Sequence, residues 1–382
     1  MQDSDVGLSP KPDGWRLIDD STRSTSTKNS EQNEPSDPSL ICSALTTGLP
    51  LPSPSWQAEF VAAYFFNHAN RDHTYVVDAV CSQLGLAKGD VAEATIKSRL
   101  QPFIDPVLPR HTIRIKIGDV EEQTLGPSSS SGISSSMNKI HFNPSPGAHI
   151  IDKAASDSSN TFLLPGTTIF AEPTGWGVIS DIDDTIKITM TSSPIGILKT
   201  TFVDEPQPVS GMPKLYAHMQ SSLSTPPFFY LSASPYNLYP FLRKFRQTYY
   251  PDGTIILRDA TWQNLAGLIS SFSVDVQDYK VDRMVEIHSW FPERRFVCLG
   301  DSTQKDPESY GEVARRFPGW VRMIFIRRVA YASDITDPDE KAKNEMKRFE
   351  KAFAGLDRAM WHVFDDPTEV QQLLDTMLEE ET

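Results

Sequence analysis

VISDIDDT, at residues 178–185, is a short apolar run that ends in a D-x-D-x-T pattern. Such a run is typical of a buried strand of a parallel sheet, and open α/β sheets bind ligands in the crevice outside the carboxyl ends of their strands. We therefore expect Asp181, Asp183 and Thr185 to face a site. The alternative is a solvated turn after a strand, since a short pattern taken alone also occurs by chance.

Two aspartates at a buried strand end need a positive partner, and Mg²⁺ is suited to that role because it binds carboxylate oxygens and leaves room for a substrate phosphate. Asp181 could then attack phosphorus, since an aspartyl-phosphate is a recognised covalent intermediate. Asp183 could protonate the leaving oxygen and later deprotonate water. Thr185 would fix the turn and approach the phosphate. The pattern therefore favours a phosphate-handling enzyme.

Two later runs have the same form. FFYL at residues 228–231 is a short apolar strand candidate followed by Ser232 and Ser234, and RFVCL at residues 295–299 is followed by Asp301 and Asp306. Each also has an ordinary interpretation, because Ser232 could cap the following turn and Asp301 could be a helix N-cap. The joint occurrence of these strand ends favours one shared site.

A lysine lies between these two runs. Lys280 opens a stretch of near-helical apolar spacing, so it is expected at a helix start within reach of the pocket, where a cation would hold nucleophile and phosphate together. Lys280 taken alone fits a solvated helix residue as well. Lys187 and Lys305 are the rival candidates for the same role.

The order of these features resembles that of the haloacid dehalogenase superfamily of phosphohydrolases. The features are an acidic strand end, a strand end with hydroxyl groups, a lysine and a second acidic strand end. More narrowly, the chain resembles the actin-patch phosphatidate phosphatases of fungi and their bacterial relatives over roughly residues 170–330. The motifs that carry this resemblance are SDIDDTIK (180–187), GMP (211–213), YLSASPYNLY (230–239) and GDSTQKD (300–306).

The resemblance implies Mg²⁺-dependent conversion of phosphatidate to diacylglycerol at the surface of endocytic or other membranes. It also implies a cytoplasmic, peripherally membrane-associated protein, possible endocytic or actin-associated partners and a location at actin patches. The implied roles are nucleophile and metal ligand for Asp181, general acid/base and metal ligand for Asp183, phosphate binding for Thr185 and for Ser232 or Ser234, and charge balance for Lys280. Asp301 is implied as a metal ligand, and Asp306 as a metal ligand or as a hydrogen-bond partner of one.

Composition limits the other classes of function. The 382 residues are 39% hydrophobic and carry a formal net charge of −14, which excludes the counterion-release attraction that drives nucleic-acid binding. No apolar run approaches the length of a transmembrane helix, and the N-terminus lacks the pattern of a signal peptide, so a cytoplasmic location is expected. The three cysteines are too scattered for a disulfide framework.

Four regions are predicted. Residues 1–54 form a disordered tail, residues 55–172 a helix followed by a small β-rich accessory domain, residues 173–335 a three-layer α/β catalytic domain with a parallel sheet, and residues 336–382 a helical extension. The gaps between the site motifs are too short for a large lid, so little or no cap is expected. An open site suits a phosphate presented by a lipid or a protein.

Two helices outside the catalytic region are predicted from apolar spacing. Trp56, Phe60 and Tyr64 recur every four residues, which predicts an amphipathic helix. A second helix is predicted from Pro338, with an apolar face that includes Phe349 and Phe353.

Two functional alternatives stay open. The same residues could serve a protein phosphatase or a general phosphomonoesterase. The fold could also serve a non-catalytic lipid-binding or cytoskeletal scaffold, although such a scaffold has no use for the acid/base Asp183.

Overall fold

The structure is a computed structural model of the chain. It describes residues 39–43, 56–66, 74–86, 91–155, 164, 166–258, 276–330 and 338–380. The predicted disordered tail lies outside these ranges except for Ser39–Ser43, which is not disordered but forms strand β1. None of the helices in these ranges is long and apolar enough to cross a bilayer.

A six-stranded parallel sheet forms the centre of the fold, in the order β10-β9-β8-β11-β12-β13. All five strand pairings are parallel. The interiors of β8, β9 and β11 are buried over nearly their whole length, as a sheet covered on both faces requires. The strands are β8 (Trp176–Asp181), β9 (Phe228–Pro235), β10 (Thr254–Arg258), β11 (Arg295–Asp301), β12 (Val321–Arg327) and β13 (Trp361–Phe364).

Helices connect these strands and cover the sheet. The chain steps from β8 to β10 in one direction and from β11 to β13 in the other, so right-handed crossovers place the two sets of connections on opposite faces. The predicted three-layer α/β class is confirmed. The helices of this region are α3 (Pro194–Phe202), α4 (Met212–Ser222), α5 (Tyr239–Tyr249), α6 (Val276–Trp290), α7 (Asp306–Arg316), α8 (Pro338–Lys343), α9 (Met346–Ala352) and α10 (Pro367–Glu380).

The connection between β8 and β9 holds two short helices, α3 of 9 residues and α4 of 11 residues. Neither is long enough to form a folded lid over the carboxyl ends of the strands. This connection therefore contains no large insertion, although the side chains at the strand ends are buried. The connection from β10 to α6 lies outside the described residues.

The N-terminal part is rich in antiparallel strands, as predicted. One sheet has the order β1-β2-β5 and a second has the order β4-β3-β6-β7. Their strands beyond β1 are β2 (Trp56–Phe65), β3 (Ile113–Ile117), β4 (Glu121–Leu125), β5 (Ile133–Ile140), β6 (His149–Ala154) and β7 (Gly166–Ile169). Helices α1 (Thr74–Leu84) and α2 (Val91–Ile104) follow β2 and contact α3.

The helix predicted from Trp56 is wrong, because this segment is strand β2. A spacing of four residues fits one face of a helix, but it also fits one face of a strand, where every second side chain points the same way. Trp56, Phe60 and Tyr64 lie in the core of the antiparallel sheets. Val61 and Phe65, on the opposite face of the strand, join the core of the parallel sheet. Both faces of β2 are therefore buried.

The C-terminal region differs from the predicted helical extension. The helix expected from Pro338 is divided into α8 and α9, with Phe349 and Phe353 buried as expected from its apolar face. The region also contains β13, which pairs in parallel with β12 and forms the edge of the central sheet. Its run of aromatic and β-branched residues is typical of a short strand.

Candidate active site

The predicted site residues meet at the carboxyl edge of the sheet. Asp181 ends β8 opposite Leu231 of β9, so Ser232 follows directly beside it. On the other side of β8, Leu299 of β11 pairs with Ser180, and Asp301 lies two residues further on. Parallel strands in this register bring their carboxyl ends together, which is the arrangement that the sequence predicted.

Lys280 of α6 lies at the centre of the acidic cluster. Its Nζ donates to Oδ1 of Asp181 at 2.6 Å, to a carboxylate oxygen of Asp306, and to Oε1 of Gln304 at 3.3 Å. The Lys280 side chain is fully buried, as is that of Asp306. Burial alone would lower the pKa of Lys280, but the carboxylates of Asp181 and Asp306 outweigh it and raise that pKa above its ordinary value. The lysine therefore stays charged.

Three carboxylates form a group that could hold a metal ion. One oxygen each from Asp181, Asp301 and Asp306 lies within 4.8 Å of the others, and all three side chains are buried. Burial, reinforced by the neighbouring carboxylates, raises the pKa of Asp181 well above its ordinary value. The same causes raise the pKa of Asp301 to about 7. The single positive charge of Lys280 therefore does not neutralise the three carboxylates.

Oδ2 of Asp181 tests whether a metal ion fits here. This oxygen is buried and has no hydrogen-bond partner among the described residues, although Oδ1 of the same carboxylate is bonded to Lys280. Leaving a buried carboxylate oxygen unpaired is costly. A hard divalent cation held by carboxylate oxygens would remove that cost and the repulsion together. The donor set therefore fits Mg²⁺ or a similar ion.

Asp183 lies beside this group but not in it. Its Oδ1 accepts from the hydroxyl of Thr189 at 2.8 Å, and its Oδ2 accepts from the hydroxyl of Ser232 at 2.6 Å. Of the four predicted metal ligands, Asp183 is the one whose carboxylate the structure does not bring into the acidic group. Its oxygens face hydroxyl groups, an environment suited to proton transfer.

Ser232 and Ser234 were the alternative candidates for phosphate binding. The structure places both near Asp183. Residues i and i+2 of a strand share a face. The Ser234 hydroxyl lies 3.5 Å from Oδ2 of Asp183, and the Ser234 backbone N–H donates to the Ser232 hydroxyl at 3.0 Å. Ser232 makes the shorter contact with the carboxylate.

Thr185 binds a carboxylate of the acidic group. Its hydroxyl donates to Oδ2 of Asp301 at 3.2 Å, and its side chain is fully buried. Thr185 therefore orients a candidate metal ligand in this structure, whereas the sequence predicted an approach to the phosphate.

The two rival lysines differ in position. Lys305 is exposed, just before α7. Lys187 is 1% exposed, and its Nζ donates to the hydroxyl of Thr189 at 2.8 Å. Burial lowers the pKa of Lys187, and the carboxylates of Asp183 and Asp184 partly oppose that shift.

Asp184 shapes the loop after β8, and no role was predicted for it. It adopts a left-handed backbone with φ of 62°, which aspartate tolerates better than most residues. Its carboxylate accepts from the backbone N–H groups of Thr189, Met190 and Thr191 at 2.7–2.8 Å. An aspartate in a tight turn was the only sequence signal for this role.

Arg348 of α9 fixes the loop between Asp301 and α7, and sequence reasoning missed it. Its guanidinium donates to the backbone oxygens of Ser302 and Gln304 and forms an ion pair with Glu308 at 2.9 Å. A planar guanidinium can bind several acceptors at once. Nothing in the local sequence marks this arginine among the other basic residues of the helix.

The region that holds the site is similar to known proteins. Residues 176–328 match the family model described as "Phosphatidate phosphatase APP1, catalytic domain". The chain is 27% identical over 275 residues to phosphatidate phosphatase APP1 of Saccharomyces cerevisiae, and the match covers 69% of this chain but 45% of the yeast protein. The chain thus spans less than half the length of that relative.

Two weaker similarities were also found. An uncharacterized protein of Schizosaccharomyces pombe is 28% identical over 158 residues, which cover 41% of this chain and 25% of that protein. The crystal structure of a cytosolic 5'-nucleotidase bound to cytidine superposes with a TM-score of 0.33 at 13% identity, over 55% of this chain and 86% of that one.

Proposed function

We propose, from the membership of residues 176–328 in the family of APP1-type phosphatidate phosphatase catalytic domains, that this chain is a Mg²⁺-dependent phosphatidate phosphatase. It would convert phosphatidate and water to diacylglycerol and inorganic phosphate. The observation that carries the proposal is the buried Oδ2 of Asp181, which has no hydrogen-bond partner in the described part of the chain and lies beside the Lys280 ammonium and two further carboxylates.

In the first step, a carboxylate oxygen of Asp181 attacks phosphorus, and the bond between phosphorus and the glycerol oxygen breaks. Asp183 gives its proton to that departing oxygen, so the alcohol leaves uncharged. The product on the enzyme is an aspartyl-phosphate at Asp181. Ser232 and Ser234, the residues proposed to bind the phosphate, support the acid/base role because their hydroxyls lie beside Oδ2 of Asp183.

In the second step, the Asp183 carboxylate takes a proton from water while the water oxygen attacks phosphorus. The bond from phosphorus to Asp181 breaks, inorganic phosphate leaves, and both aspartates regain their starting protonation states. Lys280 offsets negative charge on the nucleophile throughout. Bound Mg²⁺, held by Asp181, Asp301 and Asp306, would neutralise charge on the phosphate oxygens.

The lipid substrate is supported by the family and by the absence of a folded lid between β8 and β9. A site without a large folded insertion suits a phosphate presented at a bilayer surface better than a small metabolite, which a cap would have to enclose. The proposal includes a cytoplasmic location, peripheral association with the substrate membrane and, through the family resemblance alone, endocytic or actin-associated partners at actin patches. Imaging of the tagged protein beside an actin marker tests the location.

The decisive experiment measures phosphate release from phosphatidate in mixed micelles, with Mg²⁺ and with a chelator. The variants are Asp181→Asn and Asp183→Asn, and the control is Asp282→Asn, an exposed position on α6. We expect metal-dependent release that both site variants lose and the control keeps. Hydrolysis of phosphopeptides or aryl phosphates without hydrolysis of phosphatidate would replace the lipid assignment with a general phosphomonoesterase. No hydrolysis of any of them would favour a scaffold.

A further inference from the structure

Lys187 is a buried cation that the proposed reaction does not use. It is 1% exposed, and the hydrogen bonds that its Nζ donates among the described residues go to a hydroxyl and a backbone oxygen rather than to a carboxylate. A buried ammonium without compensation is expensive. Its close acceptor is the Thr189 hydroxyl at 2.8 Å, with the backbone oxygen of Ile188 more distant at 3.4 Å.

The Thr189 hydroxyl connects this cation to Asp183. An ammonium group has no lone pair and can only donate, so the hydroxyl accepts from Lys187. Its single proton is then free to point to Oδ1 of Asp183, which lies 2.8 Å away. The next acceptor, the backbone oxygen of Lys187, is at 3.4 Å. The three groups thus form one directed chain from ammonium to hydroxyl to carboxylate.

We propose that Lys187 and Thr189 are positioning residues that hold Oδ1 of Asp183 as a permanent acceptor and leave Oδ2 as the oxygen that exchanges the proton. This inference rests on the proposed function, in which Asp183 is the general acid and base. Oδ2 is the oxygen that faces Ser232 and Ser234. Because these two serines are the residues proposed to bind the phosphate, a proton on Oδ2 would lie on the side proposed for the substrate.

Thr189 is itself held in place from two sides. Its backbone N–H donates to Oδ1 of Asp184 at 2.8 Å, and its backbone oxygen lies 2.9 Å from the Thr200 hydroxyl of α3, which is equally close to the backbone oxygen of Gly196. These bonds fix the backbone from which the hydroxyl projects. A group that is held before the substrate arrives needs no reorganisation during the reaction.

Aromatic packing isolates Lys187 from solvent. The Phe241 ring lies under the ammonium, with Nζ 5.6 Å from the ring centroid, and the Arg99 guanidinium lies 5.1 Å from the same centroid. A cation over a ring face is attracted to it without a hydrogen bond. The ring thus offsets part of the cost of burying Lys187, whereas the Arg99 guanidinium repels its charge. Water does not compete for the contact with Thr189, because Lys187 is 1% exposed.

The test uses two substrates that differ in their need for an acid. The substrates are 4-nitrophenyl phosphate and phenyl phosphate. The 4-nitrophenolate ion is a stable leaving group without a proton, whereas phenolate is a poorer leaving group, so its departure depends more on a general acid. The measurement is the rate at which phenol or 4-nitrophenol is released in the first turnover. This step precedes the one in which Asp183 regains its proton from water. Thr189→Val and Lys187→Met remove the chain, and Asp183→Asn is the reference for loss of the acid.

We expect Thr189→Val and Lys187→Met to slow release from phenyl phosphate at least about tenfold more than release from 4-nitrophenyl phosphate, a fraction of what a general acid contributes. Thr189→Ser should restore the wild-type ratio. Thr376→Val on α10 and Lys199→Met on α3, both at exposed positions, are the matched controls and should leave both rates unchanged. The near-isosteric Thr189→Val decides the matter if Lys187→Met does not fold.

The outcomes are distinguishable. Equal slowing of both substrates in Thr189→Val, with the expected selectivity in Asp183→Asn, would overturn the positioning role and leave the proposed function intact. A wild-type chain inactive on phosphatidate and on both aryl phosphates would overturn the proposed function, and the inference with it. Activity with no selectivity in Asp183→Asn would remove Asp183 as the acid and so remove the basis for the chain.

Discussion

Lys280 and Asp181 form a buried ion pair, with Nζ of the lysine 2.6 Å from Oδ1 of the aspartate and neither side chain more than 1% exposed. The same ammonium contacts Asp306. One cation thus joins α6 to the end of β8 and to the start of α7. Because removing one partner from a buried pair leaves the other charge without compensation, this contact links stability to function.

Lys280→Met should lower the free energy of unfolding by about 3 kcal/mol at neutral pH, since two buried carboxylates lose their cation. It should also abolish phosphatase activity. Urea denaturation followed by circular dichroism measures the first effect. Lys305→Met, at the exposed position directly before Asp306, is the control. An unchanged unfolding midpoint in Lys280→Met would contradict the assigned importance of this pair.

Magnesium should stabilise the folded chain. At a concentration one hundred times its Kd, a ligand that binds only the folded state adds about 2.7 kcal/mol. Asp301→Asn should lose most of this gain, because Asp301 supplies one of the three carboxylates of the group. Thermal unfolding with and without Mg²⁺ measures the difference, with Asp282→Asn as the control. An equal gain in Asp301→Asn would place the ion elsewhere.

Gly300→Ala should weaken metal binding. A Cβ at Gly300 would lie 2.5 Å from Cβ and 2.8 Å from Oδ2 of Asp306, so the aspartate must move. We expect a loss of about 10–100-fold in metal affinity, as for other changes that misplace a ligand. Titration calorimetry with Mg²⁺ measures it.

Gly253→Ala provides the comparison for that experiment. Its Cβ would lie 2.5 Å from the backbone oxygen of Phe228, a similar clash at the opposite ends of the strands. It should lower stability and leave the affinity for Mg²⁺ unchanged. Equal loss of affinity in both variants would mean that the effect of Gly300→Ala is general and does not act through Asp306.

Asp152 should make stability depend on pH. Burial raises its pKa from 3.8 to about 7, although a hydrogen bond from Thr168 partly opposes the shift. Between those two values the folded state holds a proton that the unfolded state has released, so stability falls as pH rises from about 4 to about 7 and then stays lower. Asp152→Asn is neutral at every pH and should remove this fall.

The gain from Asp152→Asn should therefore be near zero at pH 4 and reach, at most, about 4 kcal/mol at pH 8. Urea denaturation at the two pH values checks it. The exposed Asp282→Asn should not change the difference between them. A gain at pH 4 equal to that at pH 8 would show that the effect of the substitution is not electrostatic.

Local patterns predicted the central strands and the residues at their ends. β8, β9 and β11 are short apolar runs followed by polar residues, and their parallel register brings Asp181, Ser232 and Asp301 together. Such runs can be recognised because a strand buried on both faces needs apolar residues throughout. The roles of the assembled residues stay predictions until the variants are measured.

The rest depended on information that a local pattern does not contain. A spacing of four residues fits a helix or a strand, so β2 was predicted as a helix, and only its pairing with β1 and β5 decides the matter. Arg348 reaches Ser302 across 46 residues of sequence, and Asp184 acts through a turn that forms only in the fold. These contacts are tertiary, and one sequence does not encode them in a recognisable motif.

The segment matched by the family model ends at residue 328, yet β13 and Arg348 lie beyond it. A gene fragment cut at that boundary would encode every candidate catalytic carboxylate but neither the outermost strand nor the guanidinium that braces the acidic loop. The end of the segment that the family model matches is therefore not the end of the folded domain. The shortest fragment worth expressing extends past β13.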